Sequence, residues 1–213
     1  MAQDKDWHGT AENDDTVIRV AVGKGSSLST LSSNNGEWAN IYVNGAVDFS
    51  ERDTGVRVDL SNNSANGDMN AFLGLTPYLY TFGVDSVKGS DNGDNVLIGN
   101  GKKNTLVGGA GVRNSLWGGN AATNDVLVGN ADSTDEFFFM QNNGNDTIQN
   151  AGADDKVVFY GVKFEGSGCK FENGVASFVN GQKLTFDGTI ENGFKAQFTD
   201  ATFTYNNGNW ERQ

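Results

Sequence analysis

The chain is poor in the residues that most often carry chemistry. Cys169 is the one cysteine in 213 residues, so no intrachain disulfide can form and a paired-thiol metal or redox site is excluded. His8 is the one histidine, which rules out histidine-cluster zinc sites and argues against a Ser-His-Asp triad. No HExxH, GxSxG or P-loop pattern occurs, and no enzymatic activity is expected. Basic residues are scarce as well. Lys and Arg total 15 against 27 Asp and Glu, a net charge of −12 that disfavours nucleic acid as a partner and suits divalent cations or plain solubility. No window reaches the roughly eighteen apolar residues of a membrane helix, so no transmembrane segment is expected. The opening "MAQDKDWHGTAENDD" has neither a basic n-region nor an apolar h-region, so it is no cleavable signal peptide. The protein stays inside, leaves by a route that reads no N-terminal signal, or is a segment of a longer chain. Pro77 is the single proline.

Glycine is abundant, at 29 residues, and so is asparagine. The 14 Phe and the regular spacing of aliphatic residues argue against low-complexity disorder. That spacing is a repeat. The phrase polar-x-apolar-x-Gly recurs every nine to eleven residues, with Asp85, Asn95, Asn104, Asn114, Asp125, Asp135, Asp146 and Asp155 in the polar place. The apolar place holds Val87, Leu97, Leu106, Leu116, Leu127, Phe137, Ile148 and Val157. Gly89, Gly99, Gly108, Gly118 and Gly129 follow, and the glycine then gives way to Phe139, Asn150 and Phe159. Such a period accommodates a short strand and a tight turn, whereas helical repeats need more than about thirty residues. In a strand the apolar column points inward, and glycine is expected to supply positive φ in the turns. Strands this short stack in parallel as a solenoid.

The segment resembles the RTX, or haemolysin-type, calcium-binding nonapeptide family, GGxGxDxUx. "GNDTI" at 144–148 matches the motif core, "VDSVKGSDNGDNVLIGN" at 84–100 resembles the start of such an array, and "HGTAENDDTV" at 8–17 looks like an isolated unit with Asp15 and Val17 in phase. The resemblance implies an all-β parallel β-roll, two units per turn, in which aspartates and turn carbonyls enclose a few Ca²⁺ ions. Same-side positions are then two units apart, and only Asp125/Asp146 and Asp135/Asp155 pair two carboxylates. These four, with Asp132 nearby, are the expected calcium ligands. Asp85, Asp91, Asp94, Asn104 and Asn114 are weaker candidates, because asparagine keeps an oxygen but loses the charge. Lys102, Lys103 and Arg113 lie where a metal would sit in the first half. There, asparagines can stack in a hydrogen-bonded ladder without metal.

Three regions follow: N-terminal strands and a cap over 1–83, the repeat over 84–159, and a C-terminal β cap over 160–213 that is also a possible secretion-signal region. "TVIRVAV", "WANIYVNGAVDFS" and "GVRVDL" read as strands, and "MNAFLGLTPYLYTFG" (69–83) as a loop or short helix covering an open end. Turns are expected at Asn173–Gly174, Asn180–Gly181, Asp187–Gly188 and Asn207–Gly208. Trp38, Trp117, Trp210 and Tyr80 are read as core or cap residues before sugar platforms. The leading expectation is a secreted or cell-surface calcium-binding β-roll module of structural or adhesive role, exported by a type I route. The alternatives are a self-assembling filament or surface-layer subunit with little metal, and a module that binds cell-surface glycan or protein.

Overall fold

The computed structural model describes residues 7–8, 17–19, 41–50, 55–61, 70–71, 79–111 and 113–213, and among them the chain is all β, with no helix. No helix is therefore long and apolar enough to cross a membrane among the described residues. The first strands are β1 (Trp7–His8), β2 (Val17–Arg19), β3 (Ile41–Asp48), β4 (Arg57–Asp59), β5 (Asn70–Ala71) and β6 (Leu79–Lys88). The repeat continues as β7 (Asn95–Ile98), β8 (Thr105–Val107), β9 (Arg113–Trp117), β10 (Val126–Val128), β11 (Thr134–Phe139), β12 (Asp146–Ala151) and β13 (Lys156–Phe159). The chain ends with β14 (Lys170–Glu172), β15 (Val175–Ser177), β16 (Lys183–Ile190), β17 (Lys195–Gln197), β18 (Thr202–Asn206) and β19 (Asn209–Arg212).

Two mostly parallel sheets share one core. From β6 to β13 consecutive strands alternate between them. One sheet carries β6, β8, β10 and β12 side by side, and the other β7, β9, β11 and β13. Each repeat phrase is one strand, so the apolar place falls in register. Val87, Leu106, Leu127, Ile148 and Phe186 form one inward column. Val58, Leu97, Leu116, Phe137, Val157 and Ala196 form the other. All of these side chains are buried. Burying a residue of this size contributes about 1.5–3 kcal/mol each, so the columns are the main support of the stack.

Where the phrase loses its glycine, the fold changes. Phe139 and Phe159 pair across β11 and β13 and turn inward. Phe178 stacks on Phe139, and Phe198 on Phe159 at 4.3 Å between ring centroids. Trp210 stacks on Phe171 at 4.5 Å and, partly buried, packs against the core. The cap consists of antiparallel β14–β15–β16 on one sheet and β17–β18–β19 on the other. The turns at Asn173–Gly174 and Asn207–Gly208 have positive φ at both residues, the geometry that two-residue hairpins favour. Asp187–Gly188 is not a hairpin turn. It lies inside β16, where the pairing with β12 slips from Gln149/Asp187 to Ala151/Ile190.

At the other end, Leu79–Gly83 belongs to the ten-residue β6 and pairs with β3, so this part of the apolar stretch is a strand and not a loop or helical cover. Residues 72–78, Asp14, Asp15 and Trp38 lie outside the described residues. Tyr80 lies in β6.

Candidate functional site

From β7 to β13 the polar place precedes the apolar one by two residues and points the same way, into the molecule. Asn95, Asn104, Asn114, Asp125, Asp135, Asp146 and Asp155 are all buried. They form two columns, one at each set of turns. Asn95, Asn114, Asp135 and Asp155 follow the turns that lead into β7, β9, β11 and β13. Asn104, Asp125 and Asp146 follow those that lead into β8, β10 and β12. The pairing in register is that expected two units apart.

The glycine of the phrase is explained by these side chains. None of Gly89, Gly99, Gly108, Gly118 and Gly129 has positive φ, contrary to the expectation from turn chemistry. Instead the next polar side chain folds back onto the glycine Cα. A Cβ would stand 2.7 Å from Asn95 Cγ at Gly89, 2.6 Å from Asn114 Nδ2 at Gly108 and 2.4 Å from Asp135 Oδ2 at Gly129. The same holds at Gly118, 2.3 Å from Asp125 Oδ2. Gly144 of "GNDTI" is different, with φ +95° and the Thr123 carbonyl pressed against it, so only glycine fits there.

The Asn95 column is fully bonded. Asn95 Oδ1 accepts from Ser90 N (2.9 Å) and Val56 N (3.1 Å). Its Nδ2 donates to Ser90 O (2.8 Å), Gly93 O (3.1 Å) and Asn114 Oδ1 (2.7 Å). Asn114 Oδ1 also accepts from Gly109 N (3.1 Å), and its Nδ2 donates to Gly109 O (2.9 Å), Ser133 Oγ (2.9 Å) and Asp135 Oδ1 (2.7 Å). Asp135 Oδ1 takes a further bond from Ser133 Oγ (2.8 Å), and Oδ2 accepts from Asn130 N (2.6 Å). Asp155 Oδ1 accepts from Asp135 N (2.7 Å) and Oδ2 from Gly152 N (2.8 Å). Burial pushes the Asp135 carboxyl above its ordinary value against the pull of these donors. Burial raises Asp155 to about 6, with the charge of Asp135 adding to it.

The Asp146 column is not fully bonded. Asn104 Oδ1 accepts from Asn100 N (2.7 Å), but its buried Nδ2 has no acceptor. Asn104 N donates to Asp125 Oδ1 (2.7 Å), and Asp125 N to Asp146 Oδ1 (3.0 Å). Thr123 Oγ1 lies 3.2 Å from Asp125 Oδ2. The buried Asp146 Oδ2 has no partner. Burial raises Asp146 to about 7, helped by the negative charge of Asp125. Burial also raises Asp125.

The remaining candidates do not join a site. Asp85, Asp94 and Asp132 are exposed. Asp91 bridges Lys88 at 3.5 Å and accepts from Ala110 N at 2.9 Å. Among the described residues, no group of three or more His, Cys, Asp or Glu side chains is placed to hold a metal ion. The donor sets differ in fit. Every carboxylate oxygen of Asp135 and Asp155 already accepts from an N–H or O–H group, so this pair as arranged does not suit a cation. Asp146 Oδ2 beside Asp125 does, because a buried, unpartnered carboxylate oxygen calls for a proton or a cation.

A feature the sequence reading missed lies on the outside of the second sheet. Val96, Ile98, Ser115, Trp117, Phe138, Met140 and Tyr160 line an open, mainly apolar groove of about 430 Å³. Apolar residues at the outward places of β7, β9 and β11 were its only signal. Compared with family models, curated proteins and solved structures, the chain matches none.

Proposed function

We propose that the chain is an RTX-like β-roll module that works outside the cell in a structural or adhesive role, with calcium taken up at the Asp125–Asp146 edge. The reading rests on short parallel strands that alternate between two sheets, one per repeat phrase. The observation that carries the calcium is Asp146 Oδ2, buried without a partner beside a second carboxylate. Asp125, Asp146 and the Thr123 hydroxyl would hold the ion, which supplies positive charge to a pair otherwise forced toward protonation. Extracellular calcium modules bind at about 10⁻⁴–10⁻³ M, weak enough to leave such a site empty before export. Calorimetric titration of EDTA-stripped protein is expected to show saturable binding that Asp146→Asn abolishes. Absence of heat would remove calcium from the account.

The filament alternative is weaker at the C-terminal end. The outer strands there, β14 and β19, carry Lys170, Glu172, Glu211 and Arg212, exposed charges that discourage pairing with another copy. A glycan-binding role is favoured by one observation, the open groove lined by Trp117, Phe138 and Tyr160. Binding on a glycan array that Trp117→Ala removes would support it.

A further inference from the structure

We infer that the Asn95 edge is closed by side-chain amides in place of cations, so that Asn95 and Asn114 do there what calcium does in a β-roll. A cation between turns draws carbonyl oxygens together. Here Asn95 Nδ2 faces Ser90 O and Gly93 O, and Asn114 Nδ2 faces Gly109 O and the Asp135 carboxylate. The positive end of each amide occupies the position in which an ion would meet those oxygens. The other end accepts from Ser90 N, Val56 N and Gly109 N, which a cation cannot do. The amides also bond to each other through Asn95 Nδ2 and Asn114 Oδ1 at 2.7 Å, which ties successive layers. The run Asn95–Asn114–Asp135 is thus one continuous hydrogen-bonded chain, and Asp155 joins it through the Asp135 amide. Asparagine at these positions is not a degraded aspartate ligand. It is a different fastener, and it makes this edge independent of metal.

The inference goes beyond the calcium reading and is tested apart from it. In an Asp125→Asn/Asp146→Asn chain the opposite edge offers no carboxylate pair. That chain is expected to keep its β circular dichroism in EDTA and to show no calcium heat. Adding Asn114→Asp turns the amide into a carboxylate facing Gly109 O and Asp135. It is expected to lower Tm in EDTA by about 6–10 °C. Millimolar calcium should then restore most of the loss and appear as a new binding heat. Asn114→Ala should lose stability without calcium rescue. If the double variant binds calcium with Asn114 intact, or if Asn114→Asp leaves Tm unchanged, the inference is overturned. Should the double variant fail to fold, NMR on the unaltered protein decides. The Asn95 and Asn114 side-chain NH₂ signals should be protected from exchange and identical in EDTA and in calcium. Rapid exchange or a calcium-dependent shift would overturn it. Loss of calcium binding in the unaltered protein would sink the Asp146 reading and leave this one standing.

Discussion

The two edges of the repeat are built on the same phrase and end in opposite states. At the Asn95 edge, each of the Asn and Asp side-chain polar atoms has a partner. At the Asp146 edge, a donor on Asn104 and an acceptor on Asp146 are buried without one. The difference lies in what stands between the layers. Both edges set two carboxylates in succession, but every oxygen of Asp135 and Asp155 meets an N–H or O–H donor, from Asn114, Ser133, Asn130, Asp135 and Gly152, whereas Asp146 Oδ2 meets none. A carboxylate pair with a donor on every oxygen is satisfied as it stands, and a pair with one bare buried oxygen is not. The same repeat phrase thus gives one edge whose polar side-chain atoms are all partnered and one that leaves two of them without a partner.

The largest expected effects are steric and should ignore this difference. A Cβ at Gly109 would stand 1.8 Å from Ser90 O on the Asn95 edge. One at Gly144 would stand 1.7 Å from Thr123 O on the other. Gly109→Ala and Gly144→Ala should each cost about 3 kcal/mol or more by urea unfolding, with or without calcium. A cost at only one edge would break the claim that both sets of turns stack equally closely.

Next come the amides. Asn114→Ala strips partners from Gly109, Asn95 and Asp135 and should cost about 2–4 kcal/mol. Asn104→Ala loses one accepted bond and an already unpartnered donor, so about 1 kcal/mol is expected. Equal losses would erase the contrast.

The carboxylates should differ in sign. Asp135→Asn places an amide against the Asn130 or Asn114 donors and should destabilise by about 1–3 kcal/mol. Asp146→Asn removes a buried charge with an unpartnered oxygen. It should stabilise the EDTA-stripped protein by about 1 kcal/mol at pH 8.

A further contrast is read from pH. Asp146 and Asp155 have folded values raised to about 7 and about 6, so the folded chain binds protons that the unfolded chain has released. Their contribution is fully present below the ordinary carboxylate value and is lost as pH rises through about 6 and then about 7. In EDTA, Tm at pH 5 should therefore exceed Tm at pH 8, and Asp146→Asn should remove the upper part of the slope. A flat profile would contradict the burial of these groups in ionisable form.

Much of the stack was legible because the phrase is periodic. The places of Leu97, Leu116 and Phe137, and the pairing of Asn95 with Asn114, follow from counting. What the polar side chains do was not legible. Asn114 reads as a weakened ligand in sequence, and only its contacts show an amide bonded at both ends. The glycines misled for a related reason. Gly108 marks a side chain that folds back from Asn114, a contact six residues away that local turn rules do not contain. Asp85 shares the phrase yet is exposed, because phase fixes which residues can align but not whether a neighbour covers them. Asp187–Gly188 carries a hairpin signal but became a bulge within β16, where pairing with β12 overrode it.

The most direct measurement is a calcium titration of the unaltered protein followed by backbone and side-chain amide NMR. Shifts confined to the turn and strand starts around Thr123, Asp125 and Asp146, with Asn95, Gly109 and Asn114 unmoved, are the predicted result. Shifts at Asn95 and Asn114, or equal shifts along both edges, would contradict the division of the repeat into a self-closed edge and a cation-accepting one.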